Sequence, residues 1–177
     1  NSLSLDTNKK NMLIFDTDAQ EFDSFQKVFA QNFAILKTKS VEETKTILHK
    51  LKQNVIIMIF SVTKNMTIAQ ISDIVSICKR NDIPVITIHS SVELVSRVVS
   101  LGVFDSILKP YVIETLENTV ENTLCRMKVI QFQKEVKIND AIVEMRKRAE
   151  VDFLSGLLNR SELKIRVQDF YKQKKGA

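Results

Sequence analysis

The sequence contains few of the residues that interrupt regular structure or cross-link a chain. Its 177 residues include only 3 glycines, 2 prolines and 2 cysteines, and tryptophan is absent. So little glycine and proline argues against long structureless linkers, and two cysteines are too few for a disulfide framework. Cys78 and Cys125 lie in apolar helical stretches. We expect them to be buried or partly buried free thiols in a reducing, cytoplasmic compartment.

Long apolar runs and a strong charge of one sign are also missing. The longest apolar run, Val55 to Phe60, is far shorter than the roughly 20 residues that span a bilayer, and no signal peptide is visible. The net charge of +5 is modest. The basic residues show neither aromatic interleaving nor helix-turn-helix spacing, so we predict no membrane insertion and no nucleic-acid partner.

Short apolar segments alternate with amphipathic helical segments along most of the chain. This order predicts an α/β fold of (βα)5 type, with a doubly wound parallel five-stranded sheet and a long C-terminal helical extension. Ser40 is a predicted N-cap with Glu43 three residues on, and Gly102 is predicted to end a helix in a left-handed turn. The predicted strands are 12–15, 33–36, 55–60, 84–88 and 103–108.

Three segments together resemble the receiver domains of bacterial response regulators. Residues 13–18 resemble their acidic first-strand end, and residues 83–88 resemble their fourth strand. Residues 100–111 resemble their Leu-Gly turn, fifth strand and Lys-Pro pair. The resemblance covers roughly Lys10 to Met127 and implies a flavodoxin-like receiver fold with a role in signal transduction.

In that family an aspartate at the end of the third strand accepts a phosphoryl group. First-strand carboxylates hold Mg²⁺, and a lysine contacts the phosphate. This sequence has no Asp or Glu between Glu43 and Asp73, so the third strand carries no acceptor. Our alignment places Ile59 in the acceptor position, with Phe60 as the one-residue alternative.

The other pocket positions match the family only in part. Thr17 replaces one member of the acidic pair, whereas Asp16, Asp18 and Lys109 remain. We expect no bound cofactor beyond weak Mg²⁺ affinity at Asp16 and Asp18, and a direct ion pair between Lys109 and Asp16.

The fourth strand ends in His89, which replaces the phosphate-sensing Ser or Thr unless Ser90 takes that role. We expect His89 to be a hydrogen-bonded structural residue. The resemblance implies a cis bond before Pro110, although the sequence alone allows either isomer.

No proline or glycine occurs from Val112 to Val151, which predicts a helix of about 40 residues and about 60 Å. Its apolar residues are spaced by threes and fours, as in a coiled coil, so we expect a parallel homodimer. The alternative is a single helix packed on its own domain. The two apolar runs do not share one heptad frame, which predicts a stutter or a short break near 131–137. They comprise Ile113, Leu116, Val120, Leu124, Met127 and Ile130, then Ile138, Ala141 or Ile142, Met145 and Ala149.

Residues 152–160 read Asp-Phe-Leu-Ser-Gly-Leu-Leu-Asn-Arg and closely resemble the opening of GGDEF domains. These domains are diguanylate cyclases, which make cyclic di-GMP from GTP. The resemblance implies that Asn159 helps to hold guanine. Gly156 permits a turn after the helix, and Asp152 can pair with Arg160. The catalytic hairpin of the family is absent, so we expect this chain not to be an enzyme. It is either a fragment of a longer protein or a natural truncation.

The predicted organisation has four parts: a tail at 1–10, a receiver-like domain at 11–127, a helical or coiled-coil linker at 128–150, and the start of a GGDEF domain at 151–177. Our main hypothesis is a non-catalytic regulatory and dimerisation module that controls a diguanylate cyclase, either as a protein partner or as a covalently attached GGDEF domain. One alternative is a receiver of a two-component phosphorelay that is phosphorylated at Ser61 or Asp18. Another is a stand-alone scaffold for protein interaction.

Overall fold

A computed structural model describes residues 9–51, 54–157 and 172, with the backbone alone for 152–157. The chain divides into two compact units, Asn1–Met127 and Lys128–Ala177. In the described residues, no helix is both long enough and apolar enough to cross a membrane.

The first unit is built on one parallel sheet of five strands, in the order β2-β1-β3-β4-β5. This architecture confirms the predicted fold class. The third strand is longer than predicted, since it continues past Phe60 to Val62. The strands are β1 Lys10–Phe15, β2 Phe33–Thr38, β3 Val55–Val62, β4 Val85–His89 and β5 Asp105–Leu108. The helices are α1 Ala19–Phe29, α2 Val41–Leu51, α3 Ile68–Arg80, α4 Val95–Ser100 and α5 Ile113–Leu157.

Both faces of the sheet are buried because successive side chains of a strand point to opposite sides. Leu13 and Phe15 belong to the layer that contains residues of α2, α3 and α4. Met12 and Ile14 belong to the layer that contains α1 and the first turns of α5. The rings of Phe15 and Phe60 stack with their centroids 4.9 Å apart. The central strands β1 and β3 therefore hold the carboxyl edge of the sheet in place.

Local signals in the sequence are confirmed at several turns. The Ser40 hydroxyl accepts a hydrogen bond from the Glu43 N–H at 3.1 Å, as expected of an N-cap. Gly102 has a φ of 90°, the left-handed conformation predicted at the end of α4. The Lys109–Pro110 bond is cis.

The long helix α5 corrects three predictions. The predicted break near 131–137 is wrong, because α5 runs without interruption from Ile113 to Leu157. Exposed polar side chains on one face do not prevent the backbone hydrogen bonding of a helix. Leu116 and Val120 pack into the core of the first unit, so they are not free for a coiled-coil seam. Gly156 lies inside α5, so the predicted turn there is also wrong.

The side chain of Asp152 and the whole of Asn159 and Arg160 lie outside the described residues. The two cysteines differ from each other: Cys78 is buried as predicted, whereas Cys125 is exposed. Cys125 is exposed because it lies off the face of α5 that carries Leu116 and Val120.

Candidate functional site

Asp16 lies at the carboxyl end of β1, where the chain turns toward α1. Its side chain is only 2% exposed. One carboxylate oxygen accepts the Asp18 N–H at 2.8 Å, and the other accepts the Ser61 hydroxyl at 3.2 Å. Burial raises the pKa of Asp16, and the nearby Glu21 carboxylate raises it further, against the opposing effects of the Asp18 N–H, Ser61 and Lys109. Asp16 is thus a buried carboxyl group satisfied by neutral donors.

Asp18 has a different role from Asp16. It is the N-cap of α1, and its carboxylate accepts hydrogen bonds from the N–H groups of Gln20 at 2.9 Å and Glu21 at 3.4 Å. These bonds satisfy the first free donors of the helix. Thr17, between the two aspartates, is exposed. In the described part of the chain, no group of three Asp, Glu, His or Cys side chains is placed to hold a metal ion.

The structure places Ser61, and not Ile59, beside Asp16. Ile59 pairs with Ile14 in the middle of the sheet and is wholly buried in the layer beneath α1. The sequence-based placement is wrong by two residues because β3 extends to Val62. The polar position at the strand end therefore carries a hydroxyl group.

Lys109 forms an ion pair with Glu21 instead of the predicted pair with Asp16. Glu21 reaches the strand ends from the first turn of α1, and its side chain is 10% exposed. The Tyr111 hydroxyl donates a second hydrogen bond to Glu21 at 3.0 Å. Burial raises the pKa of Tyr111, and the charge of Glu21 adds to this, so the phenol stays protonated as a donor.

His89 ends β4 and is 1% exposed. Its Nε2 lies 2.9 Å from the Thr87 hydroxyl, which lies 2.7 Å from the Ser106 hydroxyl on β5. Burial lowers the pKa of His89, so the ring is neutral near pH 7. The hydrogen bond to Thr87 agrees with the structural role predicted for His89.

Comparison with solved structures identifies the fold. The receiver domain of a putative LuxO repressor from Vibrio parahaemolyticus superposes with a TM-score of 0.57 at 17% identity, over 70% of this chain and 96% of that one. A response regulator from Thermotoga maritima superposes with a TM-score of 0.57 at 20% identity, over 66% of this chain and 98% of that one. The receiver domain of a modulated diguanylate cyclase from Desulfovibrio desulfuricans superposes with a TM-score of 0.53 at 18% identity, over 69% of this chain and 98% of that one.

The chain has the receiver fold. No protein-family model matches the sequence, and no curated protein matches it. On this receiver fold, the carboxyl edge brings together five side chains: Asp16, Glu21, Ser61, Lys109 and Tyr111. We call these five residues the edge cluster.

The sequence predicted two members of the edge cluster, Asp16 and Lys109, in a receiver-type pocket. Ser61 was considered as an alternative acceptor, whereas Glu21 and Tyr111 were missed. A signal for Glu21 existed, because a glutamate three residues after a capping aspartate lies in the first turn of a helix that starts at the sheet edge. Nothing local distinguishes Tyr111 from an ordinary half-buried tyrosine that follows a strand.

Chemically, the edge cluster already satisfies its own charges. It contains two carboxyl groups and one ammonium group, and the ammonium is paired with Glu21. The Ser61 hydroxyl donates to Asp16. An incoming anion therefore meets two carboxyl groups and a lysine whose charge is already balanced.

Proposed function

We propose that this chain is a non-catalytic regulatory module of a bacterial signal-transduction protein. In this proposal it regulates a diguanylate cyclase through protein contacts and does not take up a phosphoryl group. The observation that carries the proposal is the pairing of Lys109 with Glu21 beside a strand end that offers a serine.

A phosphoryl group on this edge would have unfavourable neighbours. It carries a charge of about −1.5 to −2 near neutral pH. It would lie beside Asp16 and near the negative charge of Glu21. The Lys109 ammonium group is already paired with Glu21. A divalent cation to offset the charge needs clustered oxygen ligands, and the Asp18 carboxylate is occupied as a helix cap.

The proposed link to a cyclase has two supports. Residues 152–160 resemble the opening of a GGDEF domain, and α5 connects that segment to the receiver fold. One solved structure with the same fold is the receiver domain of a modulated diguanylate cyclase. The resemblance is to the opening segment alone, so we expect no GTP turnover by this chain.

We further propose that the chain forms a homodimer through α5. From Lys128 to Val151 every residue of the helix is exposed, and a row of apolar side chains this long is rarely left open to water. Four of them, Val129, Phe132, Val136 and Val143, recur at coiled-coil spacing. The other exposed apolar residues are Ile130, Ile138, Ile142, Met145 and Val151.

The absence of phosphoryl transfer is tested with acetyl phosphate and Mg²⁺. We expect intact-protein mass spectrometry to show no adduct on the wild-type chain. The variant Ser61→Asp with Glu21→Gln supplies a carboxylate at the strand end and frees Lys109, and we expect it to acquire an adduct. An adduct on the wild-type chain would contradict the proposal.

A second candidate function is phosphorylation of Ser61 itself. It is favoured by one observation, the hydrogen bond from the Ser61 hydroxyl to the Asp16 carboxylate, since a nearby base can activate a serine. In that case the wild-type adduct is lost in Ser61→Ala and retained in Ser106→Ala, which removes a partly buried hydroxyl outside the edge cluster.

The dimer is tested by the variant Phe132→Glu, which places a charge in the apolar row. We expect sedimentation equilibrium to show a dimer for the wild-type chain and a dissociation constant at least about tenfold weaker for the variant, because a charge is desolvated at the seam. The matched control is Gln131→Glu, which adds the same charge outside the row and leaves the dimer intact. A monomeric wild-type chain would contradict the dimer proposal.

A further inference from the structure

A second feature of the carboxyl edge is lined by none of the residues of the edge cluster. Val62 and His89 are the last residues paired between β3 and β4. Beyond this pair, residues of the β3–α3 loop and the β4–α4 loop line a cavity of about 290 Å³ that is open to solvent on one side. Ligand pockets usually measure about 300–1,000 Å³. This cavity therefore has room for a small metabolite and not for a nucleotide or a peptide.

The cavity is lined by both apolar and polar residues. Val62 and His89 are buried, and Met66 and Leu94 are partly buried. Two hydroxyl groups, those of Ser90 and Ser91, also line it. The cavity thus offers both apolar surface and hydrogen-bonding groups to a ligand.

Opposite charges stand on the two loops at the rim. Lys64 belongs to the β3–α3 loop and Glu93 to the β4–α4 loop, and both are exposed lining residues. Among the described residues, ion pairs join Lys45 to Asp73 and Lys109 to Glu21, and no pair involves either rim residue. The rim ammonium and the rim carboxylate are both available to a ligand.

His89 contributes one more polar group to the lining. The hydrogen bond that the structure describes for its ring uses Nε2. The second ring nitrogen, Nδ1, is of a type that can exchange a hydrogen bond with a ligand.

We propose that this cavity binds an aliphatic α-amino acid. The ligand carboxylate pairs with Lys64, its ammonium group pairs with Glu93, and its side chain lies against Val62, Met66 and Leu94. A zwitterion matches the two opposite charges at the rim, and an aliphatic side chain matches the apolar lining residues. The ligand contacts residues of both loops and none of the edge cluster, so binding does not depend on the proposed function.

The test measures binding to the full chain by isothermal titration and by thermal shift. The probes are L-leucine, L-valine and L-methionine. Two truncated analogues accompany them: 4-methylpentanoate, which lacks the ammonium group, and 3-methylbutylamine, which lacks the carboxylate. We expect at least one amino acid to bind with a dissociation constant below about 1 mM and to raise Tm. Both analogues should bind at least about tenfold more weakly.

Variants assign the binding to the cavity. Lys64→Ala and Glu93→Gln are each expected to weaken binding at least about tenfold, whereas Lys64→Arg retains most of it. Lys39→Ala and Glu42→Gln are matched controls, because both residues are exposed and lie outside the cavity. The proposal is overturned if no amino acid binds with a dissociation constant below about 1 mM. It is also overturned if 4-methylpentanoate binds as tightly as leucine, or if the rim variants bind like the controls.

Discussion

The carboxyl group of Asp16 is held in a buried place where its charge is unfavourable. Its pKa is raised above the ordinary value of 3.8, mainly by burial. The ordinary pKa applies to the unfolded chain and the raised pKa to the folded chain. Between these two pKa values the folded state holds the proton more tightly, so the free energy of unfolding falls as pH rises through that range. Above the raised pKa, the folded chain therefore carries the full cost of this carboxylate.

Replacing that carboxylate with a neutral amide is expected to stabilise the fold. In Asp16→Asn the amide oxygen still accepts the Asp18 N–H, and the amide NH₂ can donate to Ser61. We expect a rise in the free energy of unfolding on the order of 1 kcal/mol at about pH 7, which shrinks toward zero at about pH 4. Thermal unfolding at both pH values measures it.

The control for this charge removal is Asp23→Asn, which changes an exposed aspartate on α1. We expect its Tm to stay within about 1 °C of the wild-type value at both pH values. A large loss of stability in Asp16→Asn at neutral pH would mean that the fold requires the negative charge.

The two thiol groups are expected to differ sharply in reactivity. Cys78 is wholly buried, and burial raises its pKa to about 12, whereas Cys125 is exposed on α5. Because the thiolate is the reactive form, Cys125 should react with a thiol reagent at neutral pH and Cys78 should not. The reagent should therefore detect about one thiol in the folded chain, none in Cys125→Ser, and two after denaturation of the wild-type chain. Fast reaction of Cys78 would contradict the packing described for it.

At single residues, the sequence predicted identities better than partners. Asp16, His89 and Lys109 do lie at strand ends, as the alternation of strands and helices required. Lys109, however, pairs with a residue 88 positions away in the sequence, and such a choice depends on how α1 sits against the sheet edge. The periodicity of apolar residues predicts helices and strands but does not predict which distant residues contact each other.

At the scale of the element, α1 depends on its N-cap residue, Asp18. The Asp18 side chain accepts hydrogen bonds from two backbone N–H groups, and the Asp18 N–H donates a hydrogen bond to the Asp16 carboxylate. We expect Asp18→Ala to lower the free energy of unfolding by about 1 kcal/mol, because one or more N–H groups lose their acceptor. Denaturation in urea measures this change.

The comparison variant at this position is Asp18→Asn, since asparagine caps helices about as well as aspartate. We expect it to keep nearly the wild-type stability. If Asp18→Asn loses as much stability as Asp18→Ala, the charge and not the cap is what α1 needs.

The elements themselves follow from the pattern of apolar residues. All five predicted strands are present, because each is a short apolar segment between polar residues. The end of β3 was misjudged because Ser61 looks like the start of a loop, although a buried serine with a partner fits a strand equally well. The continuity of α5 was misjudged for a related reason, since polar residues in a helical frame interrupt an apolar stripe without interrupting the backbone.

At the scale of the whole molecule, stability is expected to be uneven along the chain. The central strands β1, β3 and β4 are nearly all buried, whereas every residue of Lys128–Val151 is exposed. We expect hydrogen exchange to be slowest in these strands. In α5 beyond Met127, exchange should be slow in the dimer and much faster in Phe132→Glu, with the sheet unchanged. Equal exchange of this segment in both proteins would argue against a dimer through α5.

The hydrogen bond from Tyr111 to Glu21 has a practical consequence. The chain has no tryptophan and only 2 tyrosines, and the second, Tyr171, lies outside the described residues. Phenol emission is quenched when the hydroxyl group donates to a carboxylate, and no indole is present to mask it. Ultraviolet fluorescence of a Tyr171→Phe variant therefore gives a label-free optical readout of whether Glu21 still holds Tyr111, including during titration with any candidate signal.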